Sequence, residues 1–203
     1  MYRFIAGLDE AGRGPLAGPV VAAVVVMEAG QIIEGVRDSK KLSPKKREVL
    51  SEIIQRHSVA FAIASSSVIE IDRMNILSAT MLAMRRAVSQ LKCKLDLLRV
   101  DGSQKPDLDG IFSGPIETLV GGDDICPSIG AASILAKVFR DQAMDKLHKK
   151  YPKYGFDKNR GYPTSAHKDA LSEFGPTQAH RKTFRPVRES INFFEKGLIR
   201  NPQ

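Results

Sequence analysis

Cysteine is scarce in this chain, and long apolar runs are missing. The 203 residues include two cysteines, Cys93 and Cys126, which form no C-x-x-C pair and no disulfide pattern. That excludes a disulfide-stapled secreted fold and reads as two reduced thiols in a cytosolic protein. The longest apolar stretch, Val20 to Met27, falls far short of the roughly 20 residues a transmembrane helix needs. The opening Met1-Tyr2-Arg3 runs straight into a strand-like segment, so no secretory signal is expected and the expected location is cytoplasmic. Internal repeats and low-complexity segments are absent. The histidines at 57, 148, 167 and 180 show no zinc-type spacing. No Ser-His-Asp or Cys-His arrangement offers a protein nucleophile.

The charge is uneven. The chain carries a net charge of +8, yet residues 1–136 hold 16 Lys+Arg against 16 Asp+Glu. Residues 137–203 hold 15 against 7, which is the whole excess. A basic end beside a neutral body with clustered acids suits a phosphate backbone. His, Tyr, Phe and Pro are interleaved with these charges, which favours a folded segment over a solubilising tail.

Periodicity predicts strands over about 3–9, 19–27, 58–66, 95–101 and 115–120. Ser43-Pro44 supplies an N-cap and first-turn proline for a helix running to about Arg56. A second helix is predicted over about 70–91, with Ile76, Leu77, Thr80, Met81, Met84 and Val88 on one stripe. A third, over about 129–149, turns Leu135, Val138, Phe139 and Leu147 inward. Short helices are predicted near 165–174, closed by Gly175, and near 187–196. This order implies an α/β fold with a mixed sheet and helices on both faces. The expected organisation is one core over 1–150 followed by a basic helical extension over 151–203.

The chemistry is concentrated in Leu8-Asp9-Glu10-Ala11-Gly12-Arg13-Gly14-Pro15-Leu16-Ala17-Gly18. Two carboxylates close an apolar strand, where only a positive charge makes them welcome. Gly12 and Gly14 strip side chains from the turn so that its backbone can approach another molecule. Arg13 between them offers a planar fork of donors suited to phosphate. A dinucleotide-binding turn does not fit. Its third glycine would come one residue earlier than Gly18, it would open a helix, and its acid would follow by about 20 residues.

Asp101-Gly102 repeats the pattern of an apolar strand ending in an acid, and Asp123-Asp124 follows Gly121-Gly122 before the long helix. Alone, each is an ordinary turn or helix-leading feature. Together they place carboxylates at three strand ends, which cannot all stay ionised without a cation. All-oxygen ligation suits magnesium or manganese.

At this point six motifs resemble ribonuclease HII, the bacterial type 2 ribonuclease H family. They are Asp9–Gly14, Asp38-Ser39-Lys40-Lys41-Leu42-Ser43, Asp101-Gly102, Ala131–Val138, Gly161-Tyr162-Pro163-Thr164 with His167, and His180–Val187. The resemblance spans Ile5 to about Val187 and implies a ribonuclease H-like fold. It implies Asp9, Glu10, Asp101 and Asp123 as the catalytic metal-binding acids. Counting back ten residues from Ser133 selects Asp123. The family usually has a small residue and a lysine next, where Asp124 and Ile125 stand here. Thr183 replaces a more usual serine.

By the same resemblance Gly12, Arg13 and Gly14 grip the ribonucleotide 2′-hydroxyl, the atom that separates RNA from DNA. Tyr162 stacks on the sugar of the following deoxynucleotide, and Lys40, Lys41, Lys137, His180 and Arg181 are expected phosphate contacts. The implied activity is hydrolysis of RNA paired with DNA, including a cut 5′ of single ribonucleotides in duplex DNA. Two Mn2+ or Mg2+ ions would serve it and leave 3′-hydroxyl and 5′-phosphate ends. The implied use is removal of misincorporated ribonucleotides and RNA primers, by a monomer with no protein partner. Ile191-Asn192-Phe193-Phe194 misses a sliding-clamp-binding peptide by one position and lacks its glutamine, so packing of a terminal helix is expected. The competing classes are another metal nuclease of this fold and a non-catalytic nucleic-acid-binding domain. Gly12–Gly14 with Tyr162 argues against the first, and intact acids argue against the second.

Overall fold

A computed structural model of the chain describes residues 2–36 and 42–195. Five strands form one sheet: β1 (Phe4–Ala11), β2 (Val20–Glu28), β3 (Ala60–Ser66), β4 (Leu97–Asp101) and β5 (Ile116–Leu119). Their order is β3-β2-β1-β4-β5. β1 pairs antiparallel with β2 and parallel with β4, and β4 pairs parallel with β5. The sheet is mixed, as the order of predicted elements implies.

β2 shows why a continuous apolar run becomes a central strand. Side chains alternate across the sheet, so Ala22, Val24 and Val26 join one core cluster and Ala23, Val25 and Met27 join another. Each fully buried valine contributes about 1.5–3 kcal/mol relative to exposure. One cluster adds Ala83, Met84, Ala87 and Val88 from α2 (Val68–Ser89). The other adds Leu50 and Ile54 from α1 (Pro44–His57) and Ile134 and Leu135 from α4 (Pro127–Lys150). Helices therefore cover both faces.

Local signals set the helix ends. Ser43 caps α1, accepting the Lys46 N–H, with Pro44 in the first turn. Ser67 and Glu70 open α2 with a reciprocal capping box: Ser67 N–H donates to Glu70 Oε2 at 2.8 Å and Glu70 N–H donates to Ser67 Oγ at 3.3 Å. The single helix predicted there is broken at Asn75 (φ 71°, ψ 167°). Positive φ with extended ψ is strained for a residue with a Cβ, and here the Asn75 Oδ1 accepts the Ser78 N–H at 3.0 Å, capping the second half. Phe139, expected inward on α4, is exposed. Sequence periodicity also missed two one-turn helices, α3 (Gly122–Ile125) and α5 (Phe156–Asn159), and a 3-10 turn over Pro152–Tyr154. α6 (Ser165–Phe174) and α7 (Arg185–Glu195) complete the described residues.

The described residues of Met1–Ala11, Val21–Ser65 and Thr80–Phe139 form one compact unit. Those of Gly12–Val20, Ser66–Ala79 and Arg140–Gln203 form a second. The second has its own core, in which Leu16, Met144, Tyr154, Phe156, Leu171 and Val187 are buried together. Among the described residues no helix is long and apolar enough to cross a membrane.

Candidate active site

In the first unit, parallel pairing of β1 with β4 matches Leu8 to Val100. Asp9 and Asp101 are the next residues on each strand, so the sheet register itself brings the two carboxylates to one end. Asp9 is buried, as β1 turns its odd positions toward α4. Gly7 shows how close that helix comes: a Cβ there would lie 2.0 Å from the backbone carbon of Ser128. Ser133, one helical turn along, hydrogen-bonds the Asp9 side chain. The Glu10 N–H donates to Asp9 Oδ1 at 2.6 Å. Burial raises the Asp9 pKa well above the usual carboxylate range, and the negative charges of Glu10 and Asp101 raise it further. The two hydrogen bonds oppose that shift.

α3 supplies the next acid. The Gly122 N–H donates to Asp101 Oδ1 at 2.7 Å, which ties the first turn of α3 to the end of β4. Asp123, the following residue, is 4 % exposed, whereas Asp124 lies open to solvent. Among the described residues no three His, Cys, Asp or Glu side chains form a ready-made metal cluster. The donor set nevertheless fits a hard divalent cation. Oxygen ligands surround a buried carboxylate whose charge its acidic neighbours disfavour, which a cation would reverse.

Gly12, Arg13, Gly14, Tyr162, His180 and Arg181 lie in the second unit. Gly12 has φ +102°, and a Cβ on it would meet the Arg140 side chain at 2.0 Å, so only glycine fits. Arg181 is fully buried and binds the loop from within. Its Nη2 donates to the carbonyls of Gly12 (2.6 Å) and Gly18 (2.9 Å), its Nη1 to Arg13 (2.9 Å) and its Nε to Gly18 (3.0 Å). Arg140 adds bonds to the carbonyls of Ala17 and Pro19 at 3.2 Å. Neither arginine has a carboxylate as its hydrogen-bond partner in these contacts. Burial, with Arg140 nearby, pushes the Arg181 pKa down to about 9.

A short antiparallel bridge between Ala17 and His180 sets this geometry. The Arg181 N–H donates to the Leu16 carbonyl at 2.8 Å and the Gly18 N–H to the Ala179 carbonyl at 2.9 Å. The expectation that His180 and Arg181 touch phosphate is thereby corrected, because both side chains point into the protein and are fully buried. Arg13 and Gly14 face solvent. The ring of Tyr162 is 44 % exposed, and a Cβ on Gly14 would lie 3.7 Å from its Cε1. The structure thus brings Tyr162 beside the glycine loop. Lys137 is half-buried on α4, while Lys40 and Lys41 lie outside the described residues. Sequence reasoning missed Ser133 and Arg140 as site partners. Ser133 sits in the Ala-Ala-Ser motif, a usable signal, whereas nothing near Arg140 marks it.

Phe194 of α7 packs on the backbone, with its ring about 3.3 Å from a Cβ built on Gly175, as expected of a packed terminal helix. Phe193 is 41 % exposed.

The chain is similar to known proteins over most of its length. Residues 6–187 match the family model described as ribonuclease HII. A ribonuclease HII of Dechloromonas aromatica (strain RCB) is 53 % identical over 188 residues, 93 % of this chain and 94 % of that protein. The ribonuclease H2 structure of Pyrococcus horikoshii OT3 superposes with a TM-score of 0.80 at 28 % identity, covering 95 % of this chain and 99 % of that one. The ribonuclease HII of Archaeoglobus fulgidus, solved as a complex with PCNA, superposes with a TM-score of 0.75 at 26 % identity, covering 90 % and 95 %. This chain belongs to the ribonuclease HII family, metal-dependent endoribonucleases of the ribonuclease H class.

Proposed function

We propose that this protein cuts the RNA strand of RNA/DNA hybrids and cuts duplex DNA on the 5′ side of a single embedded ribonucleotide. The products carry a 3′-hydroxyl and a 5′-phosphate. The observation that carries the reading is Asp9, buried near the end of β1 beside Glu10 and Asp101 with its charge disfavoured. Such a carboxylate has little structural value by itself and much value as a cation ligand.

Asp9, Glu10, Asp101 and Asp123 would hold two divalent cations, Mn2+ or Mg2+. When bound, these supply Lewis-acid activation of water and neutralise charge developing at the scissile phosphate. Ser133 and the Glu10 N–H orient Asp9, and the Gly122 N–H orients Asp101. Gly12, Arg13 and Gly14 read the 2′-hydroxyl and adjacent phosphate, with Arg181 holding the Gly12 and Arg13 carbonyls inward. Tyr162 reads the sugar that follows, where an added hydroxyl would clash. Lys137, Lys40 and Lys41 complete the phosphate contacts. The use that follows is removal of misincorporated ribonucleotides and RNA primers.

The test is cleavage of three labelled substrates: a duplex with one ribonucleotide, an RNA/DNA hybrid and an all-DNA duplex. Each is run with Mg2+ or Mn2+, with and without chelator. The first two are cut only with metal, the third is not, and Asp101→Asn abolishes cutting. Substitution at the exposed Asp124 to Asn leaves most activity, whereas Asp123→Asn removes it. Cutting of the all-DNA duplex would contradict the proposed substrate.

A further inference from the structure

Two buried histidines have no part in the function above. His167, in the first turn of α6, and His180, on the bridge to Ala17, are both fully buried and meet at 3.1 Å between their Nε2 atoms. Tyr154 and Phe156 enclose them, with ring centroids 4.9–6.5 Å away. A buried polar pair in an aromatic pocket is expensive unless every hydrogen bond is made.

Here the partners fix every proton. The Thr177 N–H, which can only donate, approaches His180 Nδ1 at 3.0 Å, so that nitrogen accepts. The Tyr162 carbonyl, which can only accept, lies 2.9 Å from His167 Nδ1, so that nitrogen carries the proton. Each neutral ring has one N–H, and His180 Nε2 therefore donates to His167 Nε2. The outcome is a directed chain of hydrogen bonds: Thr177 amide, His180, His167, Tyr162 carbonyl. Burial, reinforced for His180 by its neighbour, pushes both rings below the usual histidine range, His180 to about 3, consistent with two neutral rings.

This chain ends on the residue that presents the exposed ring beside Gly14. The rest of that turn is fixed too. The Tyr162 N–H donates to the Asn159 carbonyl at 2.9 Å, and the Thr164 N–H donates to the Tyr162 carbonyl at 2.8 Å. We propose that His167 and His180 are positioning residues that hold the Tyr162 turn and so set discrimination between ribonucleotide–deoxyribonucleotide junctions and continuous RNA. The proposal rests on the reading of Tyr162 given above. His180 and Arg181 are adjacent on one bridge segment, so that segment holds the Tyr162 turn through one side chain and the Gly12–Arg13 carbonyls through the other.

The chain contains no tryptophan, so Tyr162→Trp introduces a lone fluorophore at the position in question. In that background His167→Leu, which cannot donate to the Tyr162 carbonyl, lowers the fluorescence anisotropy, and His167→Gln, whose amide can donate, recovers most of it. In the chain with Tyr162 intact, His167→Leu lowers the ratio of single-ribonucleotide to hybrid cleavage by about tenfold, the scale of one lost buried hydrogen bond. His167→Gln lowers it less. Adding His167→Leu to Tyr162→Ala changes the ratio no further. Unchanged anisotropy in the leucine variant, or additive effects with Tyr162→Ala, would overturn the proposal. A fall in anisotropy while Tyr162→Ala leaves the ratio unmoved would support the positioning and sink the substrate role of Tyr162 instead.

Discussion

Arg181 carries an unusual load for one side chain. It is a guanidinium without solvent, bonded to the carbonyls of Gly12, Arg13 and Gly18. Those carbonyls are more than 160 residues away in sequence, and no local pattern announces them. A basic residue in a basic segment reads as a surface contact. The burial that contradicts this comes from tertiary pairing of 179–181 with 16–18. Replacing Arg181 with methionine leaves several buried carbonyls without donors and lowers unfolding free energy by about 3 kcal/mol or more, measurable by urea denaturation. Activity falls further than stability alone accounts for, because the Gly12–Arg13 loop loses its template. The acids were more legible. Asp9 and Asp101 each follow an apolar strand run, and strand register does the rest. Burial separates Asp123 from Asp124, a distinction the sequence pair does not contain.

At the scale of elements, β2 and the α1 cap were readable because their signals are local: a β-branched run and Ser43-Pro44. The break in α2 was not, since Ile76, Thr80 and Met84 keep a helical stripe on the far side of Asn75. The kink shows only in the backbone angle and in the Asn75–Ser78 cap. Asn75→Ala is expected to cost about 1–2 kcal/mol by losing the cap while still holding a Cβ residue at positive φ. Asn75→Gly costs clearly less, since glycine adopts that φ freely, and thermal melts of the two variants separate these causes. Gly7 tests the contact of β1 with α4. Gly7→Val must displace the Ser128 backbone, and it lowers the melting temperature while disturbing Asp9, which lies two residues along the same strand face.

For the whole molecule, charge and protonation set the responses. The excess of Lys and Arg after residue 136 predicts salt-sensitive binding. With chelator present to prevent cutting, the logarithm of affinity for an RNA/DNA hybrid should fall against the logarithm of salt with a slope of about −3 or steeper. A slope near zero would favour a merely solubilising tail. The buried histidines give stability a direction in pH. Their folded pKa values lie below the ordinary 6.5, His180 at about 3, so the unfolded chain binds more protons across that window. Stability is greatest above pH 6.5 and falls as pH drops toward 3. Replacing His180 with glutamine flattens this part of the profile, as read by denaturant midpoints at several pH values.

In the proposed reaction, water attacks the phosphate 5′ of a ribonucleotide with metal assistance. Mapping the cut in a duplex carrying one ribonucleotide, with both ends of the nick identified chemically, distinguishes this from attack by the 2′-hydroxyl. The expected nick lies on the 5′ side of the ribonucleotide, with a 3′-hydroxyl on one fragment and a 5′-phosphate on the fragment that begins with it. A nick on the 3′ side ending in a 2′,3′-cyclic phosphate would mean attack by the 2′-hydroxyl, and would contradict the proposed reaction.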